Sequence, residues 1–283
     1  MYSPREEDEK ALKELVGEEY YKIAGEKGEK MSDKNFKEIP ISTPIEKWNW
    51  EEVRKIPIRE NNEKLVPLSL YPERIIVRSE YFLQGIKGAL PECYVRESVY
   101  EKLLEAADLL PPGYKFVIFD TWRPIQVQQS LFDTLKEQFR KQYPSESEEE
   151  ITKRTLTFVA LPSTDPTRPS PHNTGGAVDL TIADDKGRLL NMGTEYDDPT
   201  EKARTTYFEE LLKEGKELSK EEREALENRR LLFNIMTSVG FTNYLDEWWH
   251  YDCGNQNWAW VSKKEYALYG RAKPFFAWRS DIE

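Results

Sequence analysis

Polar and apolar residues alternate with a helical period over several stretches, and capping signals precede most of them. Segment 98–110 begins with a capping-box pattern and continues with apolar positions three and four residues apart, which predicts a helix. Segment 124–143 predicts a second helix, because its first residue, a proline, suits the first turn. The pattern at 147–150 could cap a further short helix, and a third capping box predicts one at 219–239, which Gly240 is placed to end.

Strand signals alternate with these helices. Residues 115–120 form a mostly apolar run of strand length, which is typical of a buried strand. Residues 176–182 predict another strand, which turns through 184–187 into a partner at 188–191. The aromatic segment 241–252 also favours strand. Helices and strands mixed in this way, with a hairpin between strands, predict an α+β fold: a single domain with a central antiparallel sheet flanked by helices.

The first part of the chain has a different character. Residues 1–70 are charged and weakly patterned, and we interpret them as an N-terminal extension packed on a main domain at residues 71–283. Trp48 and Trp50 indicate that part of this extension docks on an apolar surface. A chain of 283 residues is long enough for one large domain with such an extension.

Composition excludes two classes of partner. A net charge of -11 and a pI near 5.1 argue against binding to a nucleic-acid backbone, which requires clustered lysine and arginine. The sequence lacks an apolar run near the eighteen residues that a membrane span requires.

The first residues of the sequence are charged and lack an apolar signal core, so we expect a cytoplasmic protein. The alternative is an exported protein whose signal peptide has been removed. The sequence does not indicate an oligomeric state.

The two cysteines, Cys93 and Cys253, are too few for a disulfide scaffold. Reduced thiols are the favoured interpretation, although a single bridge between the two residues stays open. Neither belongs to a CxxC pair, which argues against a role in binding zinc.

The chain contains only two histidines, and each has a carboxylate nearby. His172 lies in a turn-rich loop ahead of Asp179, and Glu247 comes three residues before His250. Either histidine alone is typical of an ordinary loop or core position. Together, two histidines and one aspartate supply three ligands that zinc accepts, with a fourth position left for water and Glu247 free to act as a general base.

A strand through both Glu247 and His250 raises a geometric problem. Residues three apart on a regular strand face opposite sides of the sheet, so these two side chains would not both face a metal. We therefore predict an irregularity between Asp246 and Trp249, either a turn before the strand or a bulge within it.

Four motifs occur in a characteristic order along the chain. They are the SxHxxGxAxD run at Ser170–Asp179, the ExWH run at Glu247–His250, an Asp-x-x-Arg-Pro run at Asp120–Pro124, and Met192–Asp197. Together they resemble the signatures of the D-alanyl-D-alanine dipeptidases associated with vancomycin resistance, within the wider group of zinc D,D-peptidases. The resemblance covers roughly residues 75–265.

The resemblance implies a catalytic centre with one zinc ion per chain, bound by His172, Asp179 and His250. Glu247 would take a proton from the attacking water and deliver it to the leaving amine. Arg123 would hydrogen-bond the developing oxyanion, a role that suits a guanidinium because it stays charged and offers several donors.

The resemblance also implies a substrate site. Asp197 matches the carboxylate that receives the free ammonium group of a dipeptide, and Ser170 lies where the family lines its pocket. The chain departs from the pattern at Val77–Gly85, where the family has Tyr-Ala-Thr followed shortly by Asn-Phe-Thr-Gly. The initial tyrosine is missing, and Arg78 introduces a cation that is able to bind a substrate carboxylate.

The implied activity is zinc-dependent hydrolysis of D-Ala-D-Ala, or a closely related short D,D-dipeptide, by metal-activated water. One alternative is a D,D-carboxypeptidase or endopeptidase acting on longer peptidoglycan stem peptides; a small closed pocket favours the dipeptidase, and an open groove favours the endopeptidase. A non-catalytic zinc-containing binding module is disfavoured because Glu247 and Arg123 are both present. The lack of a GxSxG motif disfavours a serine hydrolase.

Overall fold

The structure is a computed structural model that describes residues 35–45 and 47–273. The chain divides into two compact units, residues 1–36 and residues 37–283. The helices and strands described below all belong to the second unit.

The predicted N-terminal extension falls only partly within the described residues. Its residues 1–34 lie outside them, and the predicted boundary at residue 70 stays a prediction. The expected docking of its tryptophans is confirmed for Trp48, whose ring packs edge-on against Tyr244 and Trp260 at centroid distances of 4.8 and 5.0 Å.

Eight α-helices and seven strands make up the second unit in the described residues. The helices are α1 (Trp50–Val53), α2 (Glu80–Leu83), α3 (Glu97–Asp108), α4 (Ile125–Gln142), α5 (Glu148–Leu156), α6 (Tyr207–Lys213), α7 (Lys220–Ser238) and α8 (Gln256–Val261). The strands are β1 (Leu65–Pro67), β2 (Ile75–Val77), β3 (Tyr94–Arg96), β4 (Lys115–Asp120), β5 (Ala177–Ala183), β6 (Thr242–Asn243) and β7 (His250–Asp252). Short 3₁₀ helices occur at Leu68–Leu70, Pro171–Thr174 and Glu201–Ala203.

A five-stranded sheet with the order β2-β4-β5-β7-β6 forms the centre of the unit. The pairs β4–β5, β5–β7 and β7–β6 are antiparallel, whereas the edge strand β2 runs parallel to β4. A second, two-stranded sheet pairs β1 with β3. The predicted α+β class is confirmed, and the parallel edge pair is the difference from a purely antiparallel sheet.

The middle of the sheet is the best-buried part of the fold. All seven residues of β5 are buried, which is typical of a strand covered on both faces. In the pairing register, Asp120 of β4 lies opposite Asp179 of β5, which in turn lies opposite His250 of β7. The register therefore brings three polar residues side by side across the middle of the sheet.

The predicted capping signals are correct at two helices and wrong at a third. Capping boxes at Ser147 and Ser219 open α5 and α7. Helix α3 instead begins at Glu97, and Ser98 does not cap it. The carboxylate of Glu63 accepts hydrogen bonds from the backbone N–H of Ser98 at 3.0 Å and from its hydroxyl at 2.7 Å. A residue far away in the sequence thus satisfies donors that the local pattern assigned to a capping box.

The predicted strand partner at residues 188–191 is reduced to a short antiparallel contact with the end of β5. That segment makes a single bridge, between Ala183 and Leu189. The side chain of Asp184 accepts hydrogen bonds from the backbone N–H groups of Lys186 and Arg188, both at 2.9 Å. These bonds stabilise the turn. Beyond it, backbone hydrogen bonds join Asp184 to Arg188 and Leu190 to Ile182, both at 2.9 Å.

Two further predictions concern the thiols and the membrane. Cys93 and Cys253 are both buried and unbridged, as the favoured interpretation had it. Within the residues that the structure describes, we find no helix with the length and apolarity to cross a membrane.

Candidate metal centre and active site

Three buried side chains from two strands and one turn meet at the centre of the sheet. His172 lies in the 3₁₀ helix Pro171–Thr174, Asp179 is the third residue of β5, and His250 is the first residue of β7. Gly175 connects the 3₁₀ helix to β5 with a φ of 73°, a conformation that glycine adopts without strain. One ligand atom from each of the three side chains lies within 4.8 Å of the others.

The spacing and chemistry of these atoms fit a metal ion. His172 Nε2 lies 3.4 Å from Asp179 Oδ2, and His250 Nδ1 lies 2.9 Å from Asp179 Oδ1. Ligands held tetrahedrally by one zinc ion, at about 2.0–2.1 Å from it, lie about 3.4 Å from each other. Two imidazoles and one carboxylate leave a fourth position open, which is the arrangement of a catalytic metal site.

The two histidines turn different nitrogens toward this cluster. His172 Nδ1 lies 2.7 Å from the backbone oxygen of Thr121, a pure acceptor, so Nδ1 carries the proton and Nε2 faces Asp179. His250 has the opposite arrangement: Nε2 lies 3.1 Å from Asp252 Oδ1, and Nδ1 faces Asp179. The metal-facing atoms are therefore His172 Nε2 and His250 Nδ1.

Burial and neighbouring charges shift the pKa values of the cluster in different directions. Burial lowers the pKa of His172. Burial also opposes the charged form of His250, but the carboxylates of Asp252 and Asp179 outweigh it and raise the pKa of His250 well above its usual range. Burial likewise opposes the ionised form of Asp179, but the two neighbouring histidines lower its pKa. The carboxylate stays ionised and ready to bind a cation.

Glu247 lies beside the cluster, in the irregular segment that the sequence predicted. Strand β7 starts only at His250, and Glu247 precedes it in a turn, with its backbone oxygen accepting from the His250 N–H at 3.3 Å. Glu247 Oε2 lies 3.8 Å from His250 Nδ1, and 38% of the side chain remains exposed. Lost hydration within the cleft, opposed by the nearby His250, raises the pKa of Glu247. The predicted irregularity is confirmed.

Arg123 follows β4 and is fixed by several partners. Its Nε donates to Asp120 Oδ2 at 2.8 Å, and its Nη1 donates to Gln128 Oε1 at 2.6 Å. Its Nη2 donates to the hydroxyl of Tyr81 at 3.3 Å. Burial opposes the charge, but Asp120, Tyr81, Tyr196 and Asp179 together outweigh it and raise the pKa of Arg123 well above its usual value. The guanidinium is a permanent, immobile cation.

Asp197 lies in the segment between β5 and α6 and lines the same cleft as the three ligands. Its backbone has a φ of 60°, and its carboxylate accepts a hydrogen bond from Tyr81 at 3.0 Å. Lost hydration among the cleft walls, together with the charge of Asp179, raises the pKa of Asp197 to about 7. The side chain nevertheless stays exposed to the cleft, so a substrate cation is able to reach it.

Two tyrosine hydroxyls connect these groups. The Tyr196 hydroxyl lies 3.0 Å from Asp179 Oδ2 and 3.1 Å from the Tyr81 hydroxyl. Tyr81 in turn contacts Asp197 and Arg123. Sequence reasoning noted a missing tyrosine at the start of Val77–Gly85; Tyr81, four residues later and on α2, brings a hydroxyl to the site.

Of the two remaining residues predicted for substrate binding, Ser170 lies in the cleft and Arg78 lies at the surface. Ser170 precedes the 3₁₀ helix of His172 and lines the cleft. Arg78 does not join the cluster; its Nε pairs with Glu80 at 2.7 Å, and nearly half of its side chain is exposed. The nearby acid holds this cation at the surface, and its suggested role in substrate binding stays a prediction.

One wide cleft connects the groups described above. Its volume is about 1720 Å³, above the roughly 300–1,000 Å³ typical of small-molecule pockets. Its lining includes Arg123, Ser170, His172, Asp179, Asp197, Glu247 and His250. An apolar wall formed by α4 and the segment after α5 extends the cleft beyond the metal-binding residues.

Sequence reasoning missed four residues of the site. Asp120 pairs with Arg123 and approaches His172 Nδ1 at 3.1 Å, and it opens the Asp-x-x-Arg-Pro motif, so a signal for it was present. Tyr196 lies within the Met192–Asp197 run, and Asp252 lies two residues after His250 on the same strand. Only Tyr81 had no such signal, because its contacts depend on the packing of separate elements.

Comparison with known proteins agrees with this geometry. A family model described as peptidase M15, D-Ala-D-Ala dipeptidase, matches residues 86–269, which is more than half of the chain. The chain belongs to this family. As a member of peptidase M15 it is a metallopeptidase, with the His172, Asp179 and His250 cluster as its possible metal site.

Several M15 relatives carry the name D-alanyl-D-alanine dipeptidase. The relative from Synechocystis is 31% identical over 235 residues, which cover 77% of this chain and 95% of the relative. The Escherichia coli relative is 30% identical over 140 residues, covering 50% of this chain and 55% of the relative. The Enterococcus faecalis relative is 32% identical over 147 residues, covering 49% and 62%.

Proposed function

We propose that the chain hydrolyses D-Ala-D-Ala, or a closely related short D,D-dipeptide, with one zinc ion bound by His172, Asp179 and His250. The observation that carries this proposal is the buried cluster of these three ligands, with Glu247 at its edge. The names of the M15 relatives support the substrate class. A zinc ion at this site would supply a Lewis acid, which polarises a carbonyl and lowers the pKa of water.

Glu247 is suited to moving the proton. It lies next to the metal-facing nitrogen of His250, and its raised pKa brings it closer to the operating pH than an ordinary carboxylate. In our proposal it accepts a proton from the attacking water and passes that proton to the leaving amine.

Arg123 is suited to stabilising the oxyanion. Asp120 and Gln128 hold its Nε and Nη1, so the guanidinium does not need to reorganise as negative charge develops on the substrate. Burial strengthens its interaction with that charge because little water remains to screen it.

Asp197 is suited to recognising the free ammonium group of a dipeptide. It is exposed to the cleft, and its hydrogen bond from Tyr81 orients the carboxylate. Ser170, two residues before His172, lines the same cleft and would add a polar contact there. The water, the oxyanion and the ammonium group would then each have a separate partner.

The test is an assay of the zinc-loaded protein on D-Ala-D-Ala, L-Ala-L-Ala, D-Ala-D-lactate and a stem pentapeptide. Cleavage of the first substrate alone is the expected result. Cleavage of L-Ala-L-Ala at a similar kcat/KM would contradict the stereochemical proposal, and failure to cleave any of the four would contradict the activity.

One observation favours a second candidate, a D,D-carboxypeptidase or endopeptidase on longer stem peptides. The cleft of about 1720 Å³ is far larger than a dipeptide requires. Release of D-Ala from the stem pentapeptide, with little turnover of D-Ala-D-Ala, would favour this second function.

A further inference from the structure

We propose that Asp252 is a positioning residue that holds His250 with Nδ1 directed at the metal and strengthens that ligand. The inference rests on the metal site of the proposed function. It adds a residue to which neither the sequence motifs nor the comparisons assign a role.

Asp252 lies two residues after His250 on β7, so both side chains project to the same face of the strand. Its side chain is wholly buried, and its Oδ1 lies 3.1 Å from His250 Nε2. This contact uses the imidazole nitrogen that faces away from Asp179, so it does not compete with a metal. It requires a proton on Nε2, which leaves the Nδ1 lone pair for the metal.

The start of α8 completes the surroundings of this carboxylate. The side-chain amide of Asn255 donates to Asp252 Oδ1 at 2.5 Å, and that of Asn257 donates to Oδ2 at 3.0 Å. Both donors are neutral, so they solvate the carboxylate without cancelling its charge. That negative charge therefore acts on the imidazole of His250.

The environment of His172 is different. Its Nδ1 donates to the backbone oxygen of Thr121, and the nearest carboxylate, Asp120, is already paired with Arg123. His172 is thus held mainly by a neutral carbonyl oxygen. His250 is held by a carboxylate that itself accepts hydrogen bonds from two side-chain amides. A carboxylate bonded to the outer nitrogen of a metal-binding histidine raises the basicity of the inner nitrogen, so we assign the larger electrostatic support to His250.

The test compares zinc affinity, measured by competition with a chelator, in the wild type and in Asp252→Asn. This substitution keeps the shape and removes the charge. We expect the dissociation constant to rise by about 10- to 100-fold, the usual effect of losing such a partner. The control is Asp246→Asn, which removes the same charge from an exposed residue in the turn before β7, and its affinity should match the wild type.

A second variant separates positioning from structure. Asn257→Ser removes one amide donor from Asp252 and disturbs the same start of α8, but it leaves the carboxylate and its contact with His250. We expect it to bind zinc nearly as tightly as the wild type. Equal losses of zinc affinity in Asn257→Ser and Asp252→Asn, with parallel losses of thermal stability, would overturn the proposal in favour of a structural role.

If Asp252→Asn fails to fold, a measurement on the wild type still tests the orientation of His250. The chain has only two histidines, so the imidazole nitrogen NMR spectrum of the zinc-loaded protein contains two rings. We expect one ring with a protonated Nδ1, from His172, and one with a protonated Nε2, from His250. A protonated Nδ1 on both rings would overturn the proposal.

These outcomes are distinct from failure of the proposed function. Wild type that does not bind zinc contradicts the metal site, and the inference about Asp252 falls with it. Wild type that binds zinc but does not cleave D,D-dipeptides contradicts only the activity. An unchanged zinc affinity in Asp252→Asn contradicts the role of Asp252 alone.

Discussion

Individual side chains of the site differ in how firmly the fold holds them. Arg123 is fixed by Asp120 and Gln128, and the metal-facing histidines are held by partners on their outer nitrogens. Glu247 and Asp197 retain exposure to the cleft. This division suits a hydrolase, because electrostatic groups act best when immobile, whereas proton carriers and substrate acceptors must be reached by water and substrate.

Replacing Glu247 should separate metal binding from catalysis. We expect Glu247→Ala to retain zinc but to lower kcat by about 10² to 10⁴, the usual contribution of a general base. Zinc content and steady-state kinetics measure the two effects. The matched control is Asp246→Asn, at the adjacent exposed acid, which should keep wild-type turnover; unchanged activity in Glu247→Ala would remove this residue from the mechanism.

Replacing Asp197 should change which substrates bind. We expect Asp197→Asn to raise KM for free dipeptides far more than for N-acylated ones, because only the free dipeptides carry an ammonium group. Asp198→Asn removes the same charge from the next residue, whose carboxylate accepts from Thr200, and it should leave both KM values unchanged. Equal effects of Asp197→Asn on the two substrate types would show that it does not bind the ammonium group.

The raised pKa of Asp197 predicts a pH dependence. With a pKa of about 7, its carboxyl is protonated and neutral below that pH and becomes an anion above it. The ratio of kcat/KM for free dipeptide to that for N-acylated dipeptide should therefore rise as the pH increases through about 7. It should fall again as the substrate amine loses its proton above about 7.7–8.0. In Asp197→Asn, the rise at about pH 7 should disappear.

The turn at Gly175 and Gly176 allows the elements around the site to pack closely. The 3₁₀ helix of His172 continues through Gly175 and Gly176 into β5, and Gly176 lies against Cys253, the residue directly after β7. A methyl group on Gly176 would collide with the backbone oxygen of Cys253 and lie 2.9 Å from the ring of Tyr269. The backbone of β7 cannot yield locally, since its register with β5 aligns His250 with Asp179.

Gly176→Ala should therefore weaken both the fold and the metal site. We expect a loss of about 1–3 kcal/mol in the free energy of unfolding, as for other overpacked interiors, together with weaker zinc binding. Thermal unfolding and zinc titration measure the two effects. Gly187→Ala, at a positive φ with open space around it, should reduce stability without changing zinc affinity. A zinc affinity unaltered by Gly176→Ala would mean that β7 accommodates the methyl group.

In the whole molecule, a bound metal would cross-link elements that the chain connects only through long segments. His172 and Asp179 lie more than seventy residues before His250, and β5 and β7 are joined through α6 and α7. An ion bound only by the folded protein shifts the folding equilibrium by mass action. The metal site is therefore linked to global stability as well as to catalysis.

Adding zinc to metal-free protein should raise its Tm. At 100 times the dissociation constant, the stabilisation is about 2.7 kcal/mol. For a domain of this size that corresponds to roughly 5–10 °C. Differential scanning calorimetry with and without a chelator measures the shift. His172→Ala is the control and should show little of it, and calcium should not replace zinc because calcium prefers oxygen ligands.

Sequence alone determined the parts of this protein that depend on local pattern or on strict chemical requirements. The capping boxes at Ser147 and Ser219 and the buried strand β4 follow from short-range patterns. The residues predicted as metal ligands could be named because few side-chain types bind such ions, and because the chain contains only two histidines.

Only the tertiary structure decided which distant residues meet. Glu63 replaced the expected cap at Ser98, and Tyr81 brought a hydroxyl to the site from α2. The nitrogen that His172 turns to the metal likewise depended on the backbone oxygen of Thr121, which packing alone brought to its ring. Such contacts carry no periodic signal along the chain, since their energy arises from burial and hydrogen bonding between separate elements.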